Sequence, residues 1–204
     1  MQAKILIINN ALDQYCTEFI EPIKKYFPEA HVVHYRHLTQ SLLDAHDGYV
    51  LSGTPLRDTY AVREALSFYA WLKQNQKPVL GICAGHQVMG KIFGAELRHG
   101  IEEEVGYYQI KIHENDELFD GLLLPESQSF RAFALHYDSV SLPSGFQLLA
   151  GSKRCEVEVM KHREFPVYGV QFHPERSNPA IMNNFACMVG AVSYAPTEIL
   201  GVTA

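Results

Sequence analysis

Cys83 stands in the run Gly81-Ile82-Cys83-Ala84-Gly85, a nucleophile with a glycine two positions away on either side. That spacing suits a strand-to-helix turn too tight for side chains at the flanking positions. The apolar Pro78-Val79-Leu80-Gly81-Ile82 before it reads as a buried strand, and Ala84 to Phe93 after it as a helix. A sulfur on such a turn projects at the carboxyl edge of a sheet, where helix-end N–H groups favour a thiolate. The Ala84 N–H can then face the oxyanion formed when sulfur attacks a carbonyl. A buried structural cysteine beside packing glycines would carry the same five letters, so this run alone leaves both readings open.

A second run narrows the choice. Val170-Gln171-Phe172-His173-Pro174-Glu175 closes another apolar strand. Proline at 174 disfavours a helical backbone at His173, and in extended chain residues i and i+2 point the same way. Glu175 is therefore expected to reach His173 and fix its tautomer. His173 would take a proton from Cys83 and return it to a departing amine. The plainer alternative is a strand-end histidine beside a surface glutamate.

The elements that must position these groups alternate. Strands are expected at Ile5–Ile8, His31–Tyr35, Gly48–Leu51 and 78–82, with helices near 13–27, 59–74 and 84–93. Asp13 is a candidate N-cap, and Pro22 should kink or restart the first helix. Alternation of this kind predicts parallel βαβ units in an α/β sheet with helices on its faces. Beyond Gly94, short strands near 107–112, 128–134, 146–150, 155–160 and 167–172 predict antiparallel additions. A last helix is expected at 179–189. Residues 1–190 read as one domain and 191–204 as a tail.

Composition is ordinary for a globular domain, with 47% hydrophobic and 20% charged residues. The net charge is −6 with no basic run, which argues against nucleic-acid and membrane-surface roles. Glu102-Glu103-Glu104 reads as a solvated loop. No segment approaches the length of a membrane span, the run after Met1 is short for a signal peptide, and the cysteines at 16, 83, 155 and 187 lack CxxC spacing. A reducing cytoplasm is expected. Cys16, Cys155 and Cys187 read as core, and Phe68, Tyr69 and Trp71 as helix packing. His86 reads as a packing or hydrogen-bonding residue. His31, His34 and His37 do not share one strand face and have no further ligand at useful spacing, so no metal is expected, and no cofactor.

Gly81-Ile82-Cys83-Ala84-Gly85-His86-Gln87 and Gln171-Phe172-His173-Pro174-Glu175 together resemble the two signatures of the class I, triad-type glutamine amidotransferases. The resemblance runs in order over about residues 3–190. It implies a flavodoxin-like mixed sheet. It also implies hydrolysis of L-glutamine through a Cys83 γ-glutamyl thioester, with a Cys83-His173-Glu175 triad. Leu51-Ser52-Gly53-Thr54-Pro55 resembles the family's oxyanion loop, which implies that Thr54 N–H joins Ala84 N–H as a donor. Glycine is usual at position 54. Threonine keeps the N–H, and its side chain has no role in this reading. The resemblance further implies substrate contacts from Gly53, Gln87, Tyr137 and Asp138. Leu135 stands where relatives tend to have serine or asparagine.

Within the family, His136-Tyr137-Asp138-Ser139-Val140 and Glu158-Val159-Met160-Lys161-His162 are most similar to the glutaminase subunit of two-subunit GMP synthetases. That similarity implies ammonia delivery to a separate ATP-dependent synthetase. Past Glu175 the wording departs, with Arg176-Ser177-Asn178-Pro179 in place of valine and a His-Thr pair. The sequence has no GxxxxGK[ST] or SGGxDS-type ATP loop, so activation of an acceptor falls to the partner. A stand-alone hydrolase of γ-glutamyl amides or peptides, using the same triad, is the competing enzyme reading. A non-catalytic binding module is the third, against which the intact triad stands.

Overall fold

The computed structural model describes residues 3–58, 60–122 and 127–191, with the backbone alone for 101–103. A nine-stranded mixed sheet runs through them in the order β2-β1-β3-β4-β9-β8-β7-β5-β6. The strands are β1 (Ile5–Asn9), β2 (His31–His34), β3 (Gly48–Leu51), β4 (Val79–Ile82), β5 (Leu97–Ile112), β6 (Ser129–Val140), β7 (Phe146–Gly151), β8 (Val159–His162) and β9 (Val167–Val170). The helices are α1 (Glu21–Lys24), α2 (Gln40–Asp44), α3 (Ala61–Ala65), α4 (Ala84–Ile92), α5 (Pro174–Ser177) and α6 (Pro179–Val189).

Strand periodicity divides the core between two faces. Ile5, Ile7, Val50, Leu80 and Ile82 pack on one side with Ile23 of α1 and Ile181 and Phe185 of α6. Leu6, Ile8, Tyr49, Leu51 and Val79 pack on the other with Leu43 of α2, Ala65 of α3 and Val88 of α4. Both faces are covered, which is why the parallel strands read as unbroken apolar runs. β3, β4 and β9 are parallel neighbours, in register at Leu51 with Gly81 and at Ile82 with Val170. Their carboxyl ends therefore deliver Ser52, Cys83 and Gln171 side by side to one edge. β8 runs antiparallel to β9, and β7, β5 and β6 continue antiparallel. β9 itself belongs to the parallel set, which its short-strand texture did not reveal.

Several local expectations are corrected. The helix expected over 13–27 is confined to Glu21–Lys24, with Pro22 in its first turn. There the missing N–H costs nothing, so proline starts the helix rather than kinking it. Asp13 is not its cap; its Oδ1 accepts from Tyr15 N in a turn. The helix expected over 59–74 breaks after Ala65 into two 3-10 segments, Leu66–Phe68 and Ala70–Gln74. Thr59 lies outside the described residues. The break turns Tyr69 inward to reach Asn10 Oδ1. Helix α2 went unread; its signal is Thr39, whose hydroxyl accepts from Leu42 N at 3.3 Å. β5 and β6 are much longer than expected, and Glu102–Glu104 lie within β5 rather than in a loop. Cys155 is buried, but Cys187 is exposed and Cys16 half-buried. The expected tail beyond 191 lies outside the described residues.

Candidate active site

β4 ends at Ile82, and α4 begins at Ala84, so the whole turn is made at Cys83. Its φ of 50° and ψ of −105° make it the one non-glycine residue with positive φ among those described. Such a backbone is strained for a residue with a Cβ and persists only where its surroundings hold it. Here Cys83 N donates to Val170 O at 2.8 Å and Cys83 O accepts from Gln87 N at 3.0 Å. The glycines make the turn possible. A Cβ at Gly85 would lie 2.4 Å from Leu51 O, and one at Gly81 would lie 2.8 Å from the Gly85 backbone.

Cys83 is 4% exposed and opens into a cleft of about 560 Å³. Thr54, Ala84, Gln87, Tyr137 and Asp138 line the same cleft. Gly53, His173 and Glu175 are buried behind its wall. Gly53 packs directly on the imidazole, since a Cβ there would stand 2.9 Å from His173 Cε1. The thiol donates to Leu135 O at 3.6 Å, and Gln171 Nε2 donates to the sulfur at 3.9 Å. Leu135 thus offers its main chain, whatever its side chain.

His173 Nδ1 and Glu175 Oε1 are 2.7 Å apart with both side chains fully buried. The contact forms by a route other than the extended one. His173 has φ −105° and ψ 85°, and Glu175 sits in the first turn of α5, which bends back to the ring. Burial alone would drive the imidazole neutral. The Glu175 carboxylate, and then the Cys83 sulfur, outweigh it and raise its pKa to about 10. Nε2 is the ring nitrogen left unbonded among the described residues. With Nδ1 held by Glu175, Nε2 is the atom that can exchange a proton with sulfur or substrate. The rings of Phe19 and Phe133, 5.3 and 6.5 Å away between centroids, keep water off it.

Gln87 is held in place: its Nε2 donates to Asp138 O at 2.6 Å and to Gln171 Oε1 at 3.3 Å. Asp138 Oδ1 lies 3.0 Å from His99 Nδ1. Two further histidines lie beneath the site. Burial, then repulsion from His173, lowers the His136 pKa to about 4; burial, then His136, lowers that of His86 to about 3. His86 packs against Gly169, a buried role of the kind its position on α4 suggests. Gln171 beside the sulfur and Asp58 in the cleft wall were not singled out from sequence. Gln171 carried a signal, standing at the end of the same apolar run two positions before His173.

This is a cysteine on a strained elbow that opens into a cleft, with an imidazole held by a buried carboxylate. The chain belongs to the class-I glutamine amidotransferases: the family model, Glutamine amidotransferase class-I, matches residues 7–186. It is an enzyme of that class. More particularly, it is 40% identical over 149 residues to a glutamine-hydrolysing GMP synthase subunit of Pyrococcus abyssi, covering 70% of this chain and 76% of that one. It is 38% identical over 148 residues to the corresponding GMP synthase subunit of Methanococcus aeolicus, covering 70% and 74%. Among solved structures, a Thermoplasma acidophilum protein assigned as a GMP synthase subunit superposes with a TM-score of 0.75 at 25% identity, over 93% of this chain and 94% of that one. A glutamine amidotransferase of Thermotoga maritima shares the fold, with a TM-score of 0.66 at 21% identity over 86% and 77%.

Proposed function

We propose that this chain is the glutaminase subunit of a two-subunit GMP synthase, with Cys83, His173 and Glu175 as its triad. The observation that carries this reading is the fully buried His173–Glu175 pair, 2.7 Å long, beside a cysteine on a strained strand-to-helix turn. Cys83 sulfur attacks the γ-carboxamide carbon of glutamine. The resulting oxyanion faces the N–H groups of Thr54 and Ala84. The C–N bond breaks as His173 Nε2 gives its proton to nitrogen, and ammonia leaves. A water, deprotonated by His173, then attacks the thioester carbon; glutamate departs and the thiol is restored. Gly53 shapes the wall, while Gln87, Tyr137 and Asp138 hold the amino-acid end of the substrate. No cofactor takes part in these steps.

Ammonia then passes to a separate ATP-dependent synthetase; the relatives, named as subunits of glutamine-hydrolysing GMP synthases, support a second subunit. Residues 1–190 act as one domain with a short tail, in the cytoplasm. Among the described residues no helix is long and apolar enough to cross a membrane. Free hydrolysis would waste glutamine, so the lone chain is expected to be slow and to speed up when its synthetase binds acceptor and ATP. Steady-state ammonia release with and without the synthetase tests this. With Cys83→Ala, free ammonia should replace glutamine in GMP formation. A lone chain that is fully active, is indifferent to any synthetase and prefers γ-glutamyl peptides would instead be a stand-alone hydrolase.

A further inference from the structure

The loop between β3 and α3 carries Gly53 and Thr54 across the cleft, and two sets of side-chain bonds hold it. At its start, Asn10 N donates to Ser52 Oγ at 3.0 Å and Asn10 Nδ2 to Ser52 O at 2.6 Å, with Tyr69 hydroxyl closing on Asn10 Oδ1. These groups are buried, and Ser52 Oγ donates onward to Gly53 O at 2.8 Å, so this set holds the carbonyl end of the Gly53–Thr54 peptide. The middle of the loop is held otherwise. Thr54 Oγ1 donates to Asp58 Oδ2 at 2.9 Å, and Leu12 N donates to that same oxygen at 2.8 Å. Asp58 N in turn donates to Pro55 O at 2.8 Å, closing a turn.

One carboxylate oxygen therefore joins the loop after β1 to the loop after β3. A charged acceptor makes each of these bonds stronger than a neutral one would. Among the described residues no N–H at the start of α3 donates to this carboxylate, and the α3 cap position is Tyr60. Threonine at 54 has a restricted χ1, so a fixed hydroxyl fixes the peptide that carries it. Glycine at this position would keep the N–H but lose the anchor.

We propose that Asp58, acting through the Thr54 hydroxyl and the Leu12 amide, is a positioning residue that sets the Thr54 N–H for the oxyanion. The inference rests on the glutaminase reading. In that reading Thr54 N–H is the donor, and a donor displaced from an oxyanion forfeits up to about 10²–10³ in rate. The cost falls on the transition state alone, so it reads as kcat with KM little changed. The non-standard threonine is thereby explained as half of a latch, which glycine could not provide.

The test uses Thr54→Val, Thr54→Ser, Asp58→Ala and the Thr54→Val/Asp58→Ala pair in the full chain with its synthetase. Thr54→Val and Asp58→Ala should each lower kcat for glutamine about tenfold or more, up to the 10²–10³ of a donor lost outright, with KM little moved. Thr54→Ser, which keeps the hydroxyl, should restore kcat. The pair should lose no more than the worse single, because both break one link. Independently of turnover, hydrogen exchange at the Leu12 amide and over residues 52–58 should rise together in Asp58→Ala. Thr54→Val with wild-type kcat, or Leu12 exchange unchanged in Asp58→Ala, would overturn the latch and leave the triad reading standing. A wild-type chain inert towards glutamine would instead sink the glutaminase reading, with hydrogen exchange still deciding whether the latch exists.

Discussion

Two buried histidines in this protein face carboxylates and end in opposite charge states. His173 holds Glu175 at 2.7 Å with both side chains sealed from water, and its pKa rises to about 10. His136 has Glu104 at 3.8 Å across the β5–β6 ladder, with the glutamate partly exposed, and its pKa falls to about 4. Glu104 is itself pushed towards its protonated form by burial. At hydrogen-bonding distance the carboxylate more than offsets the desolvation of the imidazolium; about an ångström further away it does not. The two are also linked, because the positive charge on His173 is one reason His136 stays neutral. His173 thus favours its protonated form and His136 its neutral one.

Removing the Cys83 sulfur should have the largest effect. Cys83→Ala should abolish glutamine hydrolysis in a folded protein, measured as ammonia release; substantial residual activity would remove the nucleophile from the account. His173→Ala should be nearly as damaging, losing about 10²–10⁴-fold, the usual worth of positioned proton transfer. Glu175→Gln should cost less, since it orients and charges the ring rather than moving the proton. It should also lower the His173 pKa, visible by NMR as an imidazole titration at lower pH. A raised histidine pKa adds stability that is whole below about pH 6.5 and is lost as pH rises through about 10. Wild-type melting temperature should therefore fall over that window, and Glu175→Gln should flatten the fall.

Glu104→Gln should change turnover little and leave the His173 titration in place, because Glu104 does not charge the imidazole it faces. A Glu104→Gln loss rivalling that of Glu175→Gln would show that the two pairs are not so different. The smallest effect on activity belongs to Glu158, which is buried in the antiparallel half with its pKa raised by burial to about 7. Its ionised form opposes the fold, so stability should decline as pH rises from about 4.5 through 7. Glu158→Gln should remove that decline, on the order of 3 kcal/mol at pH 8 by the size of the shift. Denaturant unfolding at pH 5 and pH 8 measures it, with glutaminase activity unchanged.

The parallel half of the molecule was legible in sequence because its geometry is written locally. Gly81 and Gly85 bracket a turn no other residue fits, and buried parallel strands read as apolar runs. The His173–Glu175 contact was legible too, though by a different path, since Pro174 starts a helix there instead of prolonging a strand. The antiparallel half was less legible. β5 and β6 support each other over much of their length, so their extent depends on pairing rather than on either sequence. The break at Tyr69 depends on a hydroxyl reaching Asn10, 59 positions away. The Thr54–Asp58 bond needed both loops in place before threonine at 54 made sense.

Cysteine reactivity separates the triad from every plainer reading, because exposure and chemistry point to different residues. Cys187 is exposed, Cys16 half-buried, and Cys83 and Cys155 buried; burial also drives the Cys155 thiol pKa upward. A reagent guided by exposure alone would choose Cys187. A diazo-ketone analogue of glutamine should instead label Cys83, with the modified peptide found by mass spectrometry and labelling suppressed by glutamine. His173→Ala should slow that labelling while leaving the cleft intact. Modification of Cys187 or Cys16 ahead of Cys83, unaffected by glutamine, would show that Cys83 is not the nucleophile.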